Sequence, residues 1–406
     1  MKQKHYSNFI YYLIELNIVL LIFTFPLIHV GFSNWFINFW QSLLVIWVLS
    51  KLFTKEVTKT VLPPSGSLLL IFAGGILLSI IFSEQIHFSL KNATYFAYGI
   101  GLSVVSYDFF RQDEQRIQRT VNYFIASTVL ISIDALIQVA LTKDILGFLM
   151  IDHRPRAFFS HPFFLSLWSG IGVFLLIPRL MNTSATTTRI VYSVCLLIQG
   201  TAFLFSKTRA AWLAMGTILL CTFLYLPHRK KLLKAVLILS GIIAVFVVVD
   251  DSLRVRALSI FRADDPRWSI WAQYWRMVTE RFTNLDWFFG RGPGSFKLEY
   301  SPAAPGQGLS VTFPHMMIFE LFYTAGFFGA VTFMLWLSYY IYNLLILTKR
   351  HSKDLYMWFM ELMPLLVFLI CLINESFFSR YFSFPFWFFA GISFALLYRA
   401  EAVQRA

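Results

Sequence analysis

The sequence predicts an all-α polytopic membrane protein of about twelve transmembrane helices with one structured loop. Three observations predict it. Apolar runs of about twenty residues alternate with short polar breaks along the chain. Twenty residues at a rise of about 1.5 Å cross the ~30 Å hydrocarbon core of a bilayer. Hydrophobic residues make up 58% of the 406 and charged residues only 14%. Basic residues also gather at alternate breaks, as membrane topology requires.

Taken in order, the runs place spans at 8–31, 34–53, 67–83, 92–110, 121–142, 160–181, 189–206, 210–226, 232–250, 316–347, 355–374 and 381–399. The first is too long for a signal peptide, contains Glu15 and has no small-residue cleavage site after it, so it reads as a retained helix. The whole chain, 1–406, reads as a single membrane domain. One set of connections holds nineteen Lys and Arg residues, among them Lys51, Arg116, Lys231 and Arg350; the short connections of the other set hold seven, among them Lys143, Arg154 and Lys207. The positive-inside rule puts the first set and both termini in the cytoplasm. The long segment 250–314, between spans nine and ten, then lies outside.

Composition also excludes classes. The net charge of +13 sits at span ends, which argues against a nucleic-acid surface. Cys195, Cys221 and Cys371 all fall inside apolar runs and imply neither a disulfide framework nor a metal cluster. Asp264-Asp265 and Asp250-Asp251 are the adjacent acidic pairs of the long segment, and neither lies in a histidine-rich ligand set. No phosphate loop or dinucleotide fingerprint appears, so no cofactor is implied.

The outer loop carries order signals. From 267 to 282 Trp268, Trp271, Trp275, Val278 and Phe282 recur at spacings of 3, 4, 3 and 4, which predicts one amphipathic helix. It either lies in the membrane interface, where indoles are enriched, or packs on the protein. Gly290-Arg291-Gly292-Pro293-Gly294 follows. Gly292 and Gly294 would let the backbone approach a ligand and turn N–H groups toward an anion, although such runs are more often turns.

Pro314 reads as a helix start, which puts His315 in the first turn of a span. The helix dipole there favours a neutral imidazole, the form that accepts a proton. Glu320, inside the membrane boundary, reads either as functional or as the structural partner of an arginine. Lys207 and Arg209 occupy a four-residue break; Arg156 and His161 follow Asp152-His153-Arg154 in another. Three outer segments, remote in sequence, thus offer arginine beside a histidine. Arginine's planar fork suits phosphate, which points to a phosphate-bearing lipid.

These residues resemble the O-antigen ligase/polymerase family of bacterial membrane glycosyltransferases. The resemblance spans 154–329 and is tightest over 267–329. It rests on Arg156 to Pro162, Ser206 to Trp212, Arg267 with Trp271, the run Gly290 to Phe296, Pro314-His315, Glu320, and Gly326 with Gly329. Ala157 stands where the family commonly has Gly, Met316 where Asn or Ser is common, and Phe163 where Asn is common. The resemblance implies transfer of a glycan from undecaprenyl diphosphate to a hydroxyl of lipid A–core, in the bacterial inner membrane, with a periplasmic site. It implies His315 as base and Arg209, Arg267 and Arg291 as diphosphate ligands, with Glu320, Arg156, His161, Lys207, Gly292 and Gly294 in support. Metal independence and inversion at the anomeric carbon follow if the arginines neutralise the leaving group. Polymerases, which join lipid-linked repeat units, and O-oligosaccharyltransferases remain alternatives; the single modest loop favours the ligase. A transporter or lipid flippase would instead need charged or broken helices near the midplane, for which Asp134 is one of few candidates.

Overall fold

The computed structural model describes residues 2–54, 66–225, 241, 248, 250–258, 267–303, 313–350 and 355–405. Among the described residues are fifteen α-helices. Eight come first: α1 Lys2–Thr24, α2 Ser33–Thr54, α3 Gly66–Ile81, α4 Ile86–Phe110, α5 Glu114–Leu141, α6 Pro162–Asn182, α7 Thr186–Phe205 and α8 Arg209–Tyr225. Four short ones follow: α9 Asp251–Leu258, α10 Arg267–Arg281, α11 Asn284–Phe289 and α12 Ser295–Ala303. The chain ends with α13 Met317–Arg350, α14 Leu355–Cys371 and α15 Arg380–Arg405. Helices α2, α5, α6, α7, α13 and α15 are long and apolar enough to cross a membrane; α1, α3, α8 and α14 contribute shorter apolar stretches. This is an all-α, multi-pass membrane fold. Every backbone N–H and C=O must be satisfied inside lipid, and helices do this within the segment. Eleven expected spans coincide with helices. The twelfth, 232–250, lies almost wholly outside the described residues, as do Asp264 and Asp265.

Helices α6 and α15 form the centre, with 89% of their apolar windows buried. Around them pack α5, α7 and α14 against α6, and α4 and α14 against α15. The helix ends form two opposite faces. At the end that carries the termini, several charges are matched in pairs. Glu15 accepts two bonds from the Arg119 guanidinium, at 2.7 and 3.0 Å, which locks α1 to α5 and accounts for an acid inside the first span. Asp108 takes Lys51 at 2.7 Å and Arg111 at 2.9 Å. Arg399 reaches Glu114 at 3.2 Å.

At the other end, here the loop end, α10 and α12 sit on the start of α13. Ile270, Tyr274, Met277 and Val278 pack with Phe296, Tyr300 and Tyr323 as a small separate core. The amphipathic helix is where the spacing put it, but its buried stripe differs. Trp268 and Trp275, read as the apolar face, are 60% and 46% exposed. Val278 is buried where the spacing put it and Trp271 and Phe282 pack at the edge of this core, while Ile270, Tyr274 and Met277 widen the buried stripe toward the preceding position, a turn of less than one residue's ~100°. The helix therefore packs on the protein through Ile270 and Tyr274 and shows two indoles outward.

Candidate functional site

Backbone strain marks the loop end. Among the described residues, six non-glycine residues have positive φ: Thr142, Asp152, His153, Ala157, Lys207 and His315. All six lie in loop-end connections. A left-handed non-glycine residue costs about 1–2 kcal/mol and persists only where its surroundings hold it. Ala157 at φ +50° explains why glycine would suit its position.

His315 is placed by its neighbours on both sides. Helix α13 begins at Met317, so Pro314 and His315 precede the first turn instead of forming it. The left-handed turn at His315 redirects the chain into the helix. Glu320 N–H donates to the Met316 carbonyl at 3.0 Å, and Met317 N–H, an orphan donor of the first turn, donates to Leu372 O at 2.8 Å. Just upstream, the Trp271 indole N–H of α10 donates to Pro314 O at 3.0 Å. The Phe313 ring packs against the imidazole, 4.5 Å between centroids. The imidazole still lies beside the positive end of the α13 dipole, one residue before its cap.

The turn 372–379, between α14 and α15, gathers the remaining pieces. Glu320 accepts from Ser376 Oγ and from Phe377 N–H, each at 2.6 Å. The expected arginine partner is thus replaced by neutral donors. Arg267, the first residue of α10, donates from Nη2 to Asn374 Oδ1 at 2.7 Å. Glu375 is buried; burial pushes its carboxyl up to about 7, and the neighbouring Glu320 adds to the effect. One turn therefore holds Arg267, Glu320 and the start of α13. Sequence reasoning missed it. The available signal was Asn374-Glu375-Ser376, three polar residues between apolar runs in a connection counted only for Arg380.

Arg209 opens α8. Lys207, nearly buried, donates from Nζ to His153 O at 3.3 Å, which joins this break to the 142–161 loop. Burial lowers the proton affinity of Arg154 there; Arg209 adds to this and Asp152, at 3.3 Å, opposes it. Helix α8 packs on α14, so Arg209 and the turn 372–379 cap the same end of a helix pair. His161 caps α6, its Nδ1 accepting from Phe163 N–H at 3.2 Å. Arg156 lies over the Phe148 ring at 5.0 Å and donates from Nε to Leu149 O. Gln138 of α5, also missed, accepts the N–H groups of Arg156 and Ala157 at 2.7 and 3.0 Å. Asp134 accepts from Ile145 N–H at 2.9 Å, a loop anchor at the end of α5.

The glycine run has other work than the one expected. Its N–H groups at Gly290, Arg291 and Gly292 donate to Asp286 O, Tyr323 O and Thr324 O, so they are spent within the protein. Tyr323 and Thr324 can accept because α13 breaks at Gly326, whose φ of 62° and ψ of −165° leave their carbonyls outside the helical ladder. A Cβ at Gly290 would overlap the Thr324 carbonyl; Gly292 and Gly294 press equally on Ser83, Ser89 and Asn92. Arg291 is engaged by two acids, Glu299 at 2.5 Å and Asp286 at 3.1 Å, and also donates to Arg281 O. It lines a cavity of about 180 Å³ with Ser83, Gln85, Asp286 and Glu299, in which neither Arg209, Arg267 nor His315 takes part.

Residues 194–334 match the family model described as O-Antigen ligase. The chain is similar to the O-antigen ligase/polymerase family, as its motifs implied. No curated protein matches the chain. The matched stretch contains Arg209, Arg267, the glycine run, His315 and Glu320. It leaves out the 156–162 segment and the turn 372–379, which the fold adds. Among the described residues no group of three or more His, Cys, Asp or Glu is placed to hold a metal ion.

Proposed function

We propose that this protein is a membrane glycosyltransferase that moves a glycan from undecaprenyl diphosphate to a hydroxyl of lipid A–core, an O-antigen ligase acting on the periplasmic face of the bacterial inner membrane. The observation that carries the reading is the meeting of Arg267, Glu320 and the segment holding His315 on the turn 372–379, within a family match. Both termini face the cytoplasm in this reading. The acceptor oxygen attacks the anomeric carbon from the side opposite the diphosphate. Its proton passes to the neutral His315 imidazole. The bond from anomeric carbon to diphosphate oxygen breaks, and the electron pair leaves with the diphosphate. Direct displacement inverts the anomeric centre. Arg209 and Arg267, with Lys207 in support, meet the charge that grows on the leaving group, which removes the need for a metal. Arg291 is assigned to structure, because its fork is filled by two acids.

The test is donor binding and turnover in one preparation of His315→Ala. General-base assistance contributes about 10²–10⁴-fold, so turnover should fall by that factor while the lipid-linked donor still binds. Near-normal turnover would remove the base role. Assays with lipid A–core, a second lipid-linked repeat unit or a Ser/Thr peptide as acceptor separate ligase, polymerase and protein glycosylation. Activity in excess EDTA tests metal independence.

A further inference from the structure

Arg380 begins α15 where the turn 372–379 ends, so whatever binds beside Arg380 borders the site just described. Its Nη1 donates to Ser33 Oγ at 2.6 Å, and its guanidinium lies over Tyr381 at 5.4 Å. Ser33 opens α2, four residues after His29 in the 3-10 turn Ile28–Val30. His29 faces the Phe148 ring, 6.0 Å between centroids, and Arg156 covers that same ring. The Gln138 amide fixes both: Nε2 donates to Phe148 O at 2.8 Å, and Oε1 holds the Arg156 N–H. Two guanidinium groups and an imidazole, from three remote segments, are thus anchored in one place.

These arginines differ from several others among the described residues. Arg111, Arg119, Arg291 and Arg399 each have a carboxylate within 3.2 Å. Neither Arg156 nor Arg380 has one within 4 Å among the described residues. The acids nearest to Phe148 in sequence are Asp144 and Asp152; Asp144 Oδ1 is taken by the N–H groups of Leu146 and Phe148, and Asp152 pairs with Arg154 at 3.3 Å. Partly buried guanidinium groups with donors to spare and no acid are built for an anion that arrives from outside.

We propose that His29, Arg156 and Arg380 form a second anion site, which takes a phosphate group carried by the acceptor glycolipid. This rests on the transfer reaction proposed above. A reaction between two phosphate-bearing lipids needs two cationic sites side by side, and the shared border at Arg380 supplies that. His29 adds a pH response. Burial and then the charges of Arg156 and Arg380 depress its proton affinity. A bound phosphate reverses the local sign, so His29 gains its proton with the ligand and binding tightens as pH falls.

The experiment measures binding, without turnover, on the full chain in nanodiscs. The probes are phosphorylated lipid A–core, the same lipid after phosphatase treatment, and undecaprenyl diphosphate. Wild type should bind the phosphorylated acceptor at least tenfold more tightly than the dephosphorylated one, and more tightly at pH 5.5 than at pH 7.5. Arg380→Gln and Arg156→Gln should each weaken the phosphorylated acceptor about tenfold and change undecaprenyl diphosphate less than twofold. His29→Gln should remove the pH dependence. Equal binding of the two acceptor forms by wild type, which needs no variant to fold, overturns the proposal. So does an equal loss for undecaprenyl diphosphate, which would give these residues to the donor. A failed reaction with intact phosphate-dependent acceptor binding would instead count against the transfer chemistry alone.

Discussion

Two short segments clamp the first turns of α13, and they work differently. The glycine run 290–294 uses backbone: the N–H groups of Arg291 and Gly292 cap carbonyls freed at Gly326, and its missing side chains permit the approach. The turn 372–379 uses side chains: Asn374 takes Arg267, Ser376 takes Glu320, and Leu372 O takes the helix start. The run looks like a phosphate cradle in sequence and is a clasp in space. The turn looks like a plain connection and joins the candidate site. What separates them is which polar groups are already spent, a property of the tertiary fold.

The largest effect that could break this contrast lies in the clasp. Gly290→Ala adds a Cβ against the Thr324 carbonyl at a φ of +75°. Left-handed strain and overpacking together should cost about 3–5 kcal/mol. Thermal unfolding in nanodiscs should show a large drop, with little folded protein at 37 °C. A stable Gly290→Ala enzyme would mean that the clasp can open.

Next comes Glu320. Glu320→Ala leaves the Ser376 hydroxyl and the Phe377 N–H without their acceptor in a buried place, about 2–4 kcal/mol together. Glu320→Gln keeps one acceptor oxygen and should recover much of the stability. Because the turn also holds Arg267 and the start of α13, residual folded Glu320→Ala should transfer glycan more slowly than its stability loss explains. Normal turnover per folded molecule would separate the turn from the site.

The turn also predicts a pH dependence. Burial raises the Glu375 carboxyl from 4.5 to about 7. A raised acid favours the folded state below its unfolded value and loses that advantage as pH climbs through the folded one. Stability should therefore fall between pH 4.5 and about 7, by about 3 kcal/mol at most. Glu375→Gln should flatten that window and unfold later than wild type at pH 8. An unchanged pH profile would place the Glu375 charge in contact with water or a cation.

How much of this was legible follows from the same contrast. Hydropathy located eleven helices because spanning a bilayer is a local requirement of each segment. Glu15 stood out in the first span, and its partner Arg119, 104 residues away, was invisible until α1 met α5. The α10 helix was legible and its buried face only in part: Val278 is buried as the spacing put it, yet Tyr274 and Met277, not Trp268 and Trp275, complete the face that meets α12 and α13. His315, Arg209 and Arg267 were marked by motif, while Asn374, Ser376 and Gln138 act only through distant partners and carry no local pattern.

The smallest effect is the most direct check on that reading, since Arg291 has the motif of a phosphate ligand and the surroundings of a structural ion pair. Its two acids, Asp286 and Glu299, keep side-chain exposures of 16% and 23%, so water screens part of the attraction. Arg291→Gln should cost about 1–2 kcal/mol, below the 3–5 of a fully buried pair that loses one partner. The loss should shrink in high salt, and Glu299→Gln made together with Arg291→Gln should restore part of it, because fewer unmatched acids then remain. Undecaprenyl diphosphate binding should stay within twofold of wild type, whereas Arg267→Gln should lose tenfold or more. If Arg291→Gln instead loses donor binding with unfolding unchanged, the two acids release their arginine when the donor arrives, and the clasp and the site are one device.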